Sequence, residues 1–439
     1  MTPPTVPAVS DAASLLPIIF ILLIPCAIAG LALMNSGLGR SHSAAHSMTS
    51  SLCVVATAVL AYFVCGFAWQ GFAGASQVVV TGGKSWNWIG FGPFFLKHLA
   101  LDGSPESLAA LFGLLSAALC AMIPLGCGAD RWRLGACCVS TAILAGWTYP
   151  LFAHWVWGGG WLAQLGAHYG LGRGFVDTAG AGTIQALGGV TALSIAWILG
   201  ARRGKYVRDG MPVAIPGHNL VLVVFGCLLA LMGWWGLNCG GAMLFNGAAP
   251  GQAVLVTINT VLAAAVSALT AATITKVRFG KPDASLTANG WIGGLAASSG
   301  ACAFVVPAEA VVIGALAGAL ITFAIEWFEL RLRVDDPGGA ISAHAVGGLW
   351  GVLSVGLFAR IPAGTSAIGH SGQWLAQIVG IATLIGLVLP LTYGLNWLVD
   401  RIYRYRVAVE GERQGLDLYE LGGGAYPEFI VHSEEFIDR

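Results

Sequence analysis

Two short segments of this 439-residue chain set polar side chains at matched positions. DTAGAGTIQALGGV opens at Asp177 and DPGGAISAHAVGGL opens at Asp336. Aligned without gaps, 6 of 14 positions are identical: Asp177/Asp336, Gly180/Gly339, Ala181/Ala340, Ala186/Ala345, Gly188/Gly347 and Gly189/Gly348. Gln185 and His344 share one position of this repeat, each eight residues and roughly 12 Å of helix beyond its aspartate. An imidazole gives and accepts a proton near neutral pH, whereas an amide hydrogen-bonds without titrating there. A histidine inside an apolar segment is costly, and such groups face a pore or pocket. Gln185 taken alone is open between packing and pore; its pairing with His344 favours the pore. The aspartates have a plainer reading as N-caps, whose carboxylates satisfy free helix N–H groups.

The elements that carry these residues follow from composition. Hydrophobic residues make up 56% of the chain and charged ones 10%, against about 25% charged in soluble domains. Mean hydropathy is +0.77, and too few polar residues remain to coat a soluble body. The 21 basic and 21 acidic side chains cancel, so no field draws nucleic acid. No nucleophile–base pair, metal cluster or phosphate loop is present, which argues against an enzyme, a resident metal or a cofactor. The ten cysteines form no CxxC pair and read as small buried hydrophobes. The N-terminus lacks a basic region, so no cleaved signal peptide is expected.

Windows of about 20 apolar residues give eleven spans. They are Leu15–Met34, Met48–Phe67, Ser107–Cys127, Leu134–Trp157, Thr178–Leu199, His218–Leu237, Ala253–Thr275, Leu286–Ala301, Ala308–Phe328, Ile341–Phe358 and Trp374–Val399. The fold class is an all-α polytopic membrane protein, with residues 1–400 in the membrane domain and 401–439 as an acid-rich cytoplasmic tail. With the N-terminus outside, 17 Lys and Arg fall on inner segments and 4 (Lys84, Lys97, Arg173, Arg360) on outer loops. The positive-inside rule then gives N-out, C-in topology in the plasma (inner) membrane. The repeat members open the fifth and tenth spans, so two five-helix units (about 15–200 and 215–360) run in opposite directions, as in transporters with inverted repeats. Gln185 and His344 then approach near the midplane. The eleventh span stands outside the repeat.

Several motifs occur in order: HWVWGGG ending the fourth span, DTAGAGT opening the fifth, HNL and GWWGLNCGG around the sixth, RVDDPGGAISAHAVGGLWG at the tenth and EGERQGLDLYELGGGAYPE in the tail. Together they resemble the ammonium transporter, methylammonium permease and Rhesus protein family over essentially the whole chain. The resemblance implies a homotrimer with one pore per subunit and ammonium or ammonia as substrate. It implies that Trp157 recruits the cation at the outer mouth, where aromatic faces attract it, with Asp177 as the acidic residue nearby. His344 matches the second of two pore histidines. In the bacterial branch the tail and inner loops meet a PII-type regulator.

The lining departs from the family pattern. Gln185 replaces the first pore histidine. Two stacked gate phenylalanines align with Ser116 and Leu237, with Phe112 and Trp234 nearby; an outer serine aligns with Gly241, and an acidic residue five before the second histidine with Gly339. Without the first imidazole a two-histidine proton relay cannot run unchanged, and smaller side chains at the gate are expected to widen the outer path. Three readings stand: an ammonium or ammonia transporter with a modified proton pathway, an ammonium sensor with little flux, and a channel for another small amine or neutral solute.

Overall fold

The computed structural model describes residues 8–72, 75–361 and 372–426. The first residues of the N-terminus and the acidic end at Glu434 and Glu435 lie outside them. Eleven long helices build the body: α1 (Ser14–Leu38), α2 (Ser41–Gln70), α3 (Pro105–Gly128), α4 (Leu134–Tyr169), α5 (Ala181–Leu199), α6 (Leu220–Asn246), α7 (Pro250–Phe279), α8 (Ala284–Ala301), α9 (Pro307–Leu330), α10 (Ile341–Phe358) and α11 (Gln373–Ile402). Ten are long and apolar enough to cross a bilayer. The other, α8, carries Asn289, Ser298, Ser299 and several glycines, and is buried almost all round from Ala288 onward. A helix shielded by α6, α7, α9 and α10 has no lipid face to coat, so its sequence is less apolar than its neighbours'. The chain is a multi-pass membrane protein.

Two features were not expected from the sequence. An antiparallel hairpin, β1 (Ala75–Thr81) and β2 (Lys84–Phe91), occupies the connection between α2 and α3. The run Gly158–Gly160 interrupts α4: the helix stops at Val156 and resumes at Trp161, with Gly159 in left-handed conformation, and a Cβ on Gly158 would meet Gln70 O at the end of α2 at 2.6 Å. The hairpin marks one face of the molecule, and the arginine-rich loops mark the opposite, basic face.

The repeat is visible in reciprocal contacts. In α1 and α6, the first helices of the two units, a Cβ on Gly30 would meet Gly226 O at 2.5 Å, and one on Gly226 would meet Gly30 O at 2.5 Å. In α5 and α10, Gly189 lies against Ala345 and Gly348 against Ala186. Those are the aligned glycine and alanine pairs of the repeat. Each contact is thus made twice, as a two-fold relation between the units requires, and backbones this close need residues without side chains.

Buried charges tie the basic face together. Asp130 bonds Arg40 at 3.1 Å and Arg202 at 3.0 Å, while Asp335 bonds Arg202 at 2.9 Å. Burial raises the Asp335 carboxyl, but Arg131 and Arg202 outweigh it and bring it down to about 2. The chain after α11 folds back on this face as α12 (Val409–Gln414) and a wide turn, Asp417–Leu421. Asp417 accepts N–H groups of Ala45 and His46 at the start of α2, and Glu420 meets His46 Nε2 at 2.8 Å and Leu134 N–H at 2.9 Å. Glu412 accepts from Arg406 and from the Arg203 N–H.

Candidate functional site

The repeat helices α5 and α10 begin alike. Each opens with a π-helical turn, Ala181–Ala186 and Ile341–Val346, a wide form frequent at functional sites. Gly180 (φ 97°) and Gly339 (φ 67°), a repeat pair, supply the left-handed residue before each turn, which other L-residues adopt at a cost. Asp177 is buried, and its carboxylate takes five donors: the N–H groups of Gly180, Ala181, Gly182 and Thr183 and the Thr183 hydroxyl, at 2.8–3.0 Å. Asp336 accepts from Ala340 and Ile341 at 3.1 and 2.7 Å. Both aspartates therefore act as caps.

Where α5 and α10 cross, His344 Nδ1 lies 2.8 Å from Gln185 Oε1. Because that oxygen can only accept, the imidazole donates from Nδ1 and keeps a lone pair on Nε2. Gln185 Nε2 is buried with no hydrogen-bond partner. Above this pair the fully buried Trp234 sets its ring 6.5 Å from that of His344, with planes at 30°, and its indole N–H is also unpartnered. One lone pair and two unpartnered donor nitrogens, Gln185 Nε2 and Trp234 Nε1, thus occur around one histidine.

Toward the hairpin face, Trp157 donates its indole N–H to the Asp177 carbonyl at 2.8 Å. Asp177 therefore touches Trp157 through its main chain, its carboxylate being occupied. Phe112 packs edge-on against Trp157 at 5.8 Å, and Phe245 stacks on the Trp157 ring at 4.4 Å with planes 2° apart. Phe112 and Phe245 meet edge-on at 5.2 Å. Leu237 and Ser116 are fully buried, Ser116 beside the Tyr149 hydroxyl, and the rings of Phe112, Trp157 and Phe245 pack on one another. Sequence reasoning missed Phe245. The signal available was its place four residues after Gly241, on the same face of α6. Gly241 itself packs on the stretch before α5, where a Cβ would meet Thr178 O at 2.6 Å. No serine fits there without backbone movement.

The family model of the Ammonium Transporter Family matches residues 15–426. The chain belongs to the ammonium transporter family. Similar members include ammonium transporter Amt2 of Archaeoglobus fulgidus, 35% identical over 93% of this chain and 86% of that one. The ammonium transporter of Bacillus subtilis is 31% identical over 91% of this chain and 94% of its own. Among solved structures, a Sensor Amt Protein superposes with a TM-score of 0.84 at 28% identity, covering 94% of this chain and 98% of that one. Candida albicans Mep2 superposes at 0.79 and 26%, covering 95% and 91%.

Proposed function

We propose that this family member passes ammonia through a path lined by α5 and α10 in each subunit of a homotrimer, with its N-terminus outside and the basic face in the cytoplasm. The reading rests on one observation, the hydrogen bond between Gln185 and His344 at the centre of the repeat. Moving NH4+ intact through an apolar path forfeits its hydration, at a cost of several kcal/mol at least. The Trp157 ring, with Phe112 and Phe245 packed against it, attracts the cation at the mouth, and the proton is released there to solvent. The unpaired N–H of Gln185 then has a partner in the lone pair of NH3, which NH4+ lacks. His344 Nε2 accepts an N–H from the same molecule.

A proton cannot pass from His344 to Gln185, because the amide does not titrate near neutral pH. Transport is accordingly electroneutral. The test uses purified protein in liposomes, with solid-supported-membrane currents and a lumenal pH dye after an ammonium jump. The expected outcome is faster lumenal alkalinisation than in empty liposomes, with no ammonium-selective current. Gln185→His is expected to add a current; a current in the unaltered protein contradicts the electroneutral reading. The likeness to a solved structure called Sensor Amt Protein favours a second reading, an ammonium sensor with little flux, recognised by ammonium binding with neither signal. The tail docked on α2 and α4 suits contact with a PII-type regulator at the same face.

A further inference from the structure

The basic face opens into a cavity of 580 Å³ lined by α8, α9 and the start of α10, which reaches Ser342, two residues before His344. Its wall carries Asp283, Glu326, Glu329, Asp335 and Asp336 with Arg202 and Lys205. The carboxylates are already engaged. Asp335 meets Arg202, Glu329 meets Lys205 and Glu326 meets Arg278, while Asp283 and Asp336 cap α8 and α10.

One acceptor in the wall is free. Asn289 is 4% exposed and donates through Nδ2 to Ser285 O at 3.1 Å, which orients the amide and leaves Oδ1 buried with no partner. Buried acceptors in native proteins are almost always satisfied, so this one calls for an occupant. Its place is tied to Gly339: a Cβ there would lie 2.3 Å from Asn289 Oδ1. Where the family pattern sets an acidic side chain at that position, the glycine clears the space and the Asn289 oxygen fills it from α8.

We propose that Asn289 Oδ1 is an inner binding site for the transported nitrogen, accepting an N–H of ammonium at the basic face. This rests on the transport reading and on the basic face being cytoplasmic. Everted vesicles present that face and whole cells present the other, with radiolabelled methylammonium as the probe. Asn289→Ala is expected to raise half-saturation about tenfold in everted vesicles and less than twofold in cells, the loss of one hydrogen bond to a charged group. Asn289→Ser, which keeps an acceptor oxygen, stays nearer the unaltered protein. An equal shift at both faces, or none at either, overturns the site.

If the unaltered protein carries no methylammonium at either face, the transport reading fails and binding decides. Ammonium chloride is then compared with sodium chloride in thermal unfolding: an ammonium-specific rise lost in Asn289→Ala keeps the site, and a rise that survives, or none at all, rejects it. The geometry has its own check. Gly339→Asp alone is expected to lower the unfolding temperature, and Asn289→Gly with Gly339→Asp to recover it, since aspartate tolerates left-handed backbone. Failure to recover removes Asn289 Oδ1 from the position the site requires.

Discussion

At the scale of single residues, the rings of Trp157, Phe112 and Phe245 pack on one another near the hairpin. Trp157 has one ring face covered by Phe245, stacked at 4.4 Å. A cation that binds that face must share it with the phenylalanine or displace it. Phe245→Ala uncovers the face, so half-saturation for methylammonium entering from that side is expected to fall roughly two- to fivefold, the value of one exposed cation–π contact. A rise instead would make Phe245 part of the attracting surface. Uptake assays at substrate concentrations spanning half-saturation separate the two. Gln185 illustrates the converse: one side-chain change leaves the contact with His344 in place while removing the second titratable group.

At the scale of elements, the start of α5 depends on Asp177. Five donors converge on its carboxylate, and the carbonyl of the same residue holds Trp157. Asp177→Asn keeps the size but exchanges one acceptor oxygen for an NH2 that faces N–H donors. The expected loss is about 2 kcal/mol, from charge-assisted bonds removed and a buried donor left unpaired. Thermal unfolding of the purified variant measures it, and an unchanged midpoint would show that the cap is dispensable. Because the π-helical turn begins in this cap, the crossing of α5 with α10 inherits its geometry.

At the scale of the whole molecule, the basic face is held by carboxylates whose partners come from distant loops. Asp335 joins the α9–α10 connection to Arg202 beyond α5 and to Arg131 between α3 and α4. Its folded-state pKa is depressed to about 2, against about 4 for an unperturbed aspartate. The unfolded state therefore binds the proton first as pH falls. The stability contributed by Asp335 is fully present above about pH 4 and is lost as pH falls from there through about 2. Unfolding midpoints measured across that window should drop in the unaltered protein, and Asp335→Asn should flatten this part of the profile while lowering stability at neutral pH. A variant with the same profile would remove Asp335 from the account. The tail responds to the same logic, since burial raises the Glu420 carboxyl and His46 and the Leu134 N–H outweigh it.

Membrane class, helix order and the matched positions Gln185 and His344 were legible in the chain itself, because hydropathy and an internal repeat are local patterns that survive without coordinates. The helix α8 was the least distinct span for a physical reason: a helix enclosed by others on every side needs small and polar packing residues rather than an apolar coat. Other features required the tertiary structure. That Gln185 touches His344, that Phe245 covers Trp157, that Gly241 leaves no room for a side chain and that Asn289 fills the space beside Gly339 are all meetings between separate elements. Residue types and spacings along one helix set which face a side chain occupies. Only the crossing of two helices decides what it meets there.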